Sequence, residues 1–299
     1  MSSFVFAAAS LGDKLDTVFY GFDMAVFEFF GSLQCGFMTA AAKFITSFGD
    51  SVFVVLLGVL AVVLSLFKRT RKFGFSLLLS IAIGTFITNI ILKPSVLRIR
   101  PYNTLQGNPE YWSWYVGAGM LSESDYSFPS GHVTAAFEIA VSVFLCYWSE
   151  GKKKLAVVFP VIAFLVLCTR LYLMVHYASD VMFGILAGTF AGVCGYVLSE
   201  LCQKIALKVK FLDAIDLERF FKKGINDKFA KIAIWVCVGL IFCASYIPLL
   251  FEGGNDADRC SYVGEYDCQN EARVDDSDYP PIDGKFYCKI HWNQLTNGK

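Results

Sequence analysis

The sequence predicts an all-α fold: a polytopic membrane helix bundle with a six-helix core and an extra C-terminal transmembrane helix. Three observations carry that expectation. The chain of 299 residues is 56% hydrophobic and only 17% charged, against roughly 45–50% and about 25% for soluble domains. Its mean hydropathy is +0.52. It contains uncharged runs long enough to cross a bilayer, and its basic residues gather between them. This composition excludes a disordered chain, a collagen or a basic nucleic-acid-binding protein, so no nucleic-acid partner is expected. Lys and Arg number 26, as do Asp and Glu, so any charge argument rests on where the charges sit.

A helix rises about 1.5 Å per residue, so a hydrocarbon core of about 30 Å takes about 20 residues. Residues 51–67, 73–92 and 232–251 contain no Asp, Glu, Lys or Arg. Val133–Trp148 carries only Glu138, Leu155–Thr169 is uncharged, and Tyr177–Ser199 carries only Asp180. Met24–Thr46 is the weakest candidate, interrupted by Glu28, Gln34 and Lys43. The reading is six or seven crossings. The first is expected to act as an uncleaved targeting signal, because the start lacks a basic stretch.

Orientation follows from the positive-inside tendency. Lys68, Arg69, Arg71 and Lys72 lie between two runs, and Lys152, Lys153 and Lys154 between two more. Residues 203–231 hold eight Lys/Arg against four Asp/Glu, spaced as a basic amphipathic helix on the inner leaflet. All three segments are expected on the cytoplasmic side. The loop 102–128, the segment 170–176 and the tail 252–299 then face outward, probing toward a plasma-membrane protein with an extracytoplasmic site. The domain reading is a segment 1–19, a core 20–202, the basic segment 203–231, a span 232–251 and the tail 252–299.

That tail holds ten acidic and five basic residues. It reads as a poorly ordered appendage, or alternatively as a lid or partner-binding piece. Its Cys260, Cys268 and Cys288 suggest one disulfide plus a free thiol in an oxidising compartment. No CxxC or Cys/His spacing suggests zinc, and His291 reads as a surface residue. The loop 102–128 carries Tyr102, Tyr111, Trp112, Trp114, Tyr115 and Tyr126. It reads either as an interfacial aromatic belt or as a cover over a site.

Polar groups at the mouth of a membrane bundle are costly, so each is a functional candidate. Lys93, Arg98, Arg100 and Pro101 close the run 73–92. Cations are disfavoured at an outward end, and a phosphate would offset them: Arg100 offers paired hydrogen bonds and Lys93 a compact charge. The alternative is a set of snorkelling anchors. Pro129, Ser130, Gly131 and His132 precede the next run. A helix starting there would present free N–H groups to an anion, with close approach at Gly131, a hydroxyl from Ser130 and a proton donor in His132. In the third cluster, Arg170 precedes His176 and Asp180, which are at i and i+4 and would share a helix face. Asp180 could then fix one ring nitrogen and leave the other free to attack phosphorus. Asp180 is thereby committed and Glu138 and Glu28 are isolated, so cations rather than a metal pair would neutralise the phosphoryl group. No metal site and no cofactor is expected.

Together these residues resemble the three-part signature of the type 2 phosphatidic acid phosphatase superfamily. Its first part, K-x6-R-P, is matched by Lys93 and Arg100-Pro101. Its second, P-S-G-H, is Pro129-Ser130-Gly131-His132, and its third, S-R-x5-H-x3-D, is matched by Arg170, His176 and Asp180 with Thr169 in place of Ser. The resemblance covers about residues 20–202 and omits the last span and the tail. It implies a metal-independent phosphatase acting on a lipid phosphate or diphosphate of the phosphatidic acid, phosphatidylglycerol phosphate or undecaprenyl diphosphate type. It implies His176 as nucleophile, Asp180 as its orienting group and His132 as acid. Lys93, Arg100, Ser130, Gly131 and Arg170 would hold the phosphate. The alternatives are a lipid phosphotransferase, a vanadate-dependent haloperoxidase-like oxidoreductase and an inactive membrane scaffold. Oligomeric state is not readable.

Overall fold

The protein is described by a computed structural model covering residues 10–208, 227–251, 260–262, 268–270, 272 and 280–297. Among these residues the fold is all-α, with a single isolated bridge between Ile282 and Lys285. It begins with α1 (Leu11–Ser32), opened by a capping box in which Ser10 and Asp13 satisfy each other's backbone N–H. Next come α2 (Gly36–Thr46), a 3-10 turn (Ser47–Gly49) and α3 (Ser51–Ser65). α4 (Arg71–Thr85) runs through a π-helical stretch, Phe86–Leu92, into the short α5 (Lys93–Val96). α6 (Pro101–Thr104) and α7 (Pro109–Gly117) lie in the long loop. α8 (Gly131–Ser149), α9 (Lys153–Ala156), α10 (Val158–Tyr172) and α11 (Ala178–Lys208) complete the core. α12 (Asp227–Phe251) and α13 (Lys289–Asn297) follow.

Among the described residues five helical stretches are long and apolar enough to cross a membrane: Gly36–Ser65, Arg71–Thr104, Gly131–Ser149, Lys153–Tyr172 and Ala178–Ala206. A shorter apolar helix spans 232–247. Large apolar side chains such as Val55, Val59, Phe164, Leu186, Phe190 and Leu240 point outward, as lipid-facing positions do. The expected crossing Met24–Thr46 is not one helix. The chain breaks after Ser32, and the break is stitched down: Gln34 Nε2 donates to the Trp114 carbonyl at 2.8 Å, and Tyr172 Oη accepts from the Cys35 N–H at 3.1 Å. The apolar run 36–46 instead continues toward α3, where Asp50 caps the new helix by accepting from Val52 N–H at 2.8 Å.

The bundle closes around α11, which packs on α4 and α8, while α8 also meets α10. Glycine permits this. Gly184, Gly188 and Gly192 recur every four residues, and a Cβ at Gly188 would lie 2.5 Å from the Thr134 carbonyl oxygen of α8. A Cβ at Gly195 would lie 2.6 Å from the Ser80 nitrogen of α4. Small residues at this spacing let membrane helices approach backbone to backbone. The last helix packs against the bundle: Val238, Ile241 and Phe242 cover the cluster of Phe53, Leu57 and Leu77. Of the basic stretch 203–231, residues 209–226 lie outside the described residues, as do residues 1–9.

Two expectations are corrected. The loop aromatics Tyr102, Tyr111 and Tyr115 are fully buried rather than interfacial. They stack on one another and pack with Phe27 and Met174 into a core of their own. In the tail no disulfide forms and every cysteine is free. Cys260, Cys268 and Cys288 instead converge on His291, which stacks on Tyr262 rather than standing alone at the surface.

Replacing Gly188 by Leu forces side-chain atoms into the α8 backbone. It should cost on the order of 1–3 kcal/mol, the usual range for overpacking, read as a lower melting temperature in detergent. Gly58→Ala, where an added Cβ meets nothing within 4 Å, should leave the transition unchanged.

Candidate active site

Each cluster found in the sequence ends a helix, and all of them meet at one end of the bundle. Lys93 starts the last turn of the α4–α5 rod, and Leu97 then turns the chain in a left-handed conformation (φ 57°). That turn sends Arg98 and Arg100 inward, both 0% exposed. Ser130 is the N-cap of α8 and His132 lies in its first turn. Arg170 is in the last turn of α10, and Asp180 in the first turn of α11. His176 lies in the tight turn between them, not on a shared helix face as the i,i+4 reading expects. Met174 makes that turn possible with φ 59°, its carbonyl held by the Tyr111 hydroxyl.

Arg100 sits beside His176, with Nη1 3.2 Å from Nε2. A guanidinium can only donate, so Nε2 is the acceptor and the ring proton belongs on Nδ1. The Nδ1 atom lies 3.4 Å from Ser127 Oγ and 3.7 Å from Asp180 Oδ2. The direct His–Asp hydrogen bond expected from sequence is therefore not made. Ser127 bridges the two, donating to Asp180 Oδ2 at 2.5 Å. Asp180 also accepts from Arg98 Nη1 at 2.6 Å and from the Tyr177 N–H at 3.1 Å. Arg98 is in turn held by Asp16 at 2.7 Å and Asp23 at 2.9 Å, and Asp23 accepts from the Ser179 N–H at 2.8 Å.

The cation cradle is partly filled from within. Glu123 receives hydrogen bonds from both Arg100 and Arg170, and its Oε1 lies 3.9 Å from His132 Nδ1. Asp125 receives bonds from Lys93 and Arg100. The sequence reading missed both carboxylates. The available signal was an acidic pair two residues apart, directly before Ser127 and the Pro129–His132 cluster. Glu138, by contrast, is away in the bundle against Gly84. Burial would raise the Glu123 pKa, but Arg100 and Arg170 hold it well below the usual carboxylate range. Against the same burial, Lys93 and Arg100 keep Asp125 low.

Two buried polar atoms in this cradle lack a partner: Ser130 Oγ and Arg170 Nε. Ser130 sits at the N-cap yet makes no side-chain cap bond. A Cβ on Gly131 would meet only Lys93 Nζ, at 3.7 Å. An oxyanion at the α8 N-terminus would therefore find an unspent hydroxyl, an unspent guanidinium N–H, a glycine that permits close approach and a neighbouring ammonium. Thr169, the departure from the signature, spends its hydroxyl on the Val166 carbonyl at 2.6 Å.

Fold and site define an integral membrane protein with a polybasic anion site and a neutral histidine beside it. A family model described as the PAP2 superfamily matches residues 73–204. An undecaprenyl-diphosphatase of Sulfolobus acidocaldarius is 30% identical over 57% of this chain and 75% of its own length. The chain belongs to the PAP2 superfamily. A phosphatidylglycerophosphatase B of Bacillus subtilis is 34% identical over 40% of this chain and 55% of its own. A lipid A 4'-phosphatase of Bacteroides thetaiotaomicron is 31% identical over 41% of this chain and 52% of its own. The crystal structure of a transmembrane PAP2-type phosphatidylglycerolphosphate phosphatase from Bacillus subtilis shares the fold. Its TM-score is 0.52 at 23% identity, covering 64% of this chain and 90% of that one. Family and relatives together make this multi-pass membrane protein a phosphatase by class.

Burial, with Arg100 adding to it, lowers the His176 pKa from 6.5 to about 4. The unfolded chain takes up this proton below about 6.5, the folded one only near 4. The folding stability tied to His176 is thus complete above 6.5 and falls as pH drops toward 4. With three histidines in the chain, ¹⁵N-histidine NMR in micelles can follow each one. The signal absent from His176→Gln should titrate near pH 4; a midpoint near 6.5 would contradict the buried, Arg100-facing ring.

Proposed function

We propose that this chain hydrolyses a lipid phosphate or diphosphate without a metal ion, at the outer membrane–water interface, through a phosphohistidine. The observation that carries the reading is the pair of unpartnered donors, Ser130 Oγ and Arg170 Nε, beside the α8 N-terminus and the Nε2 lone pair of His176. Lys93, Arg100, Ser130, Gly131 and Arg170 bind the phosphate oxygens. The incoming phosphate takes over donors that Glu123 and Asp125 hold in its absence. Arg100 Nη1 moves from His176 Nε2 to a phosphoryl oxygen, which frees the lone pair. Nε2 attacks phosphorus as the bond to the lipid oxygen breaks, and His132 protonates that oxygen as it leaves. The neutral His132 then takes a proton from water, whose oxygen attacks the phosphohistidine and releases phosphate. Asp180, through Ser127, steadies the charge that forms on the His176 ring.

A lipid substrate is supported by the site's position at the ends of membrane-length helices and by the names of the three relatives. The isoprenyl diphosphate class has the broadest support, because the relative with that activity aligns over three quarters of its length. The outward face is supported by the positive-inside tendency: Lys68–Lys72 and Lys152–Lys154 join the opposite helix ends. The domain reading is a phosphatase core to residue 202 with the span 232–251 and tail 252–299 added to it. Its start moves from 20 back to Leu11, because α1 runs unbroken over Leu11–Ser32 and Asp16 holds Arg98.

A tag in the loop 102–128 should react with a non-permeant reagent on intact cells. Labelling only after lysis would reverse the topology.

The two histidines separate by leaving group. Phosphate release from a panel of lipid phosphates should vanish in His176→Ala, on lipid and aryl phosphate alike. His132→Ala should lose roughly 10²–10⁴-fold on the lipid, whose alkoxide needs a proton, and far less on the aryl ester. Radiolabelled phosphate should be trapped on the wild type as an acid-labile, base-stable adduct and not on His176→Ala. Aryl phosphatase activity that survives in His176→Ala but not in His132→Ala would exchange the two roles.

A further inference from the structure

We propose that the C-terminal tail carries a structural zinc site formed by Cys260, Cys268, Cys288 and His291, which fastens the tail to the wall of the phosphate site. The four ligand atoms all lie within 4.8 Å of one another. His291 Nδ1 is 3.4 Å from Cys260 Sγ and 3.3 Å from Cys288 Sγ. Zinc bound tetrahedrally by thiolates at about 2.3 Å and imidazole at about 2.0–2.1 Å requires ligand atoms spread around one point at about this separation. A disulfide would draw two sulfurs together and leave no reason for a third sulfur and an imidazole to converge. Three thiolates and one neutral histidine are a known closed, structural set for zinc.

The surroundings have the features of a built site. Cys260 and Cys268 are 6% exposed and Cys288 is 0%. Asn270 Nδ2 donates to Cys288 Sγ at 3.4 Å, the kind of outer hydrogen bond that steadies a thiolate ligand. His291 is fixed in orientation by stacking on Tyr262, ring centroids 3.9 Å apart. Cys288 and His291 are three residues apart at the start of α13, so one short element supplies two ligands.

The physical need is plain. The described parts of the tail have one small apolar cluster, the cysteines with Ile290, covered by Tyr287 and by Ile99 and Tyr126 of the core. A segment this small buries too little apolar surface to order itself, and a metal is a common remedy. The docking is specific. Asn103 Nδ2 donates to Asn270 Oδ1 at 2.8 Å, and Asn103 Oδ1 accepts from the Gln269 N–H at 2.9 Å. Ile99 and Tyr126 adjoin Arg100 and Asp125 in sequence, so the clasp braces the two strands of chain that supply the cradle.

The test uses the full chain purified in detergent without chelator or added metal. Elemental analysis should find one zinc per chain. Cys288→Ser and His291→Ala should lose it, and His291→Cys, which restores a four-ligand set, should keep it. The three tail thiols should resist alkylation until the zinc is removed by a chelator, and protease should then cut the tail while leaving the helical core whole. If a variant fails to fold, the wild-type measurements still decide. Protein without zinc whose tail thiols react only after reduction would establish a disulfide and overturn the proposal. So would a stoichiometric metal other than zinc, or zinc retained in Cys288→Ser. None of these readouts uses phosphatase activity, so the outcome is independent of the catalytic reading.

Discussion

Three guanidiniums are buried at one end of this bundle, Arg98 and Arg100 at 0% exposure and Arg170 at 1%, and the site is organised by what neutralises them. A buried ion that loses its partner costs on the order of 3–5 kcal/mol, so every one of these cations must have an anion in reach. Arg98 is surrounded by Asp16, Asp23 and Asp180, all on packed helices. Arg100 and Arg170 rely on Glu123, with Asp125 also on Arg100. Those carboxylates lie in a loop segment between α7 and α8. The first set of charges is built into the scaffold. The second is held by loop carboxylates, the groups that a bound phosphate would displace in the proposed reaction.

That division explains the geometry of His176. Arg98 fixes Asp180, Asp180 accepts from Ser127, and Ser127 meets the Nδ1 side of the ring. The same ring presents Nε2 to Arg100. One arginine therefore acts behind the histidine and orients it, while the other acts in front, where a phosphoryl oxygen would lie. Burial and the facing cation keep the imidazole neutral, as the proposed nucleophilic role requires. The aromatic loop supports this from the side: Tyr102 is hydrogen bonded to both the carbonyl and the N–H of Glu123, and so fixes the segment that supplies the replaceable anions.

Glycine sets how closely these pieces can meet. Along α11 the glycine stripe brings the helix carrying Asp180 against the helix carrying His132, and Gly184 reaches the Ser130 carbonyl itself. The close contact of α11 with α8 thus begins at the site and tightens away from it, a Cβ lying 3.1 Å from the Ser130 carbonyl oxygen at Gly184 but 2.5 Å from that of Thr134 at Gly188. The tail meets the other wall, through Asn103 just after Arg100.

Hydropathy by itself determined the membrane class and most of the spans, because crossing a bilayer demands long uncharged runs whatever surrounds them. Spacing, together with the resemblance it carries, picked out the eight candidate residues, since each cluster is local in the chain. What only the tertiary structure decided is long-range. Asp16 and Asp23 reach Arg98 across 82 and 75 residues of chain, and no periodicity records such a pairing. Glu123 and Asp125 looked like ordinary loop acids until folding set them against Arg100, Arg170 and Lys93. Met24–Thr46 read as one weak crossing, interrupted by Glu28, Gln34 and Lys43, whereas tertiary hydrogen bonds break it at residues 33–35. The three tail cysteines suggested a disulfide by number alone, whereas their geometry gathers all three with His291. In each case the deciding term is the need to satisfy a buried charge or polar group, and its partner is chosen by the fold rather than by neighbours in the chain.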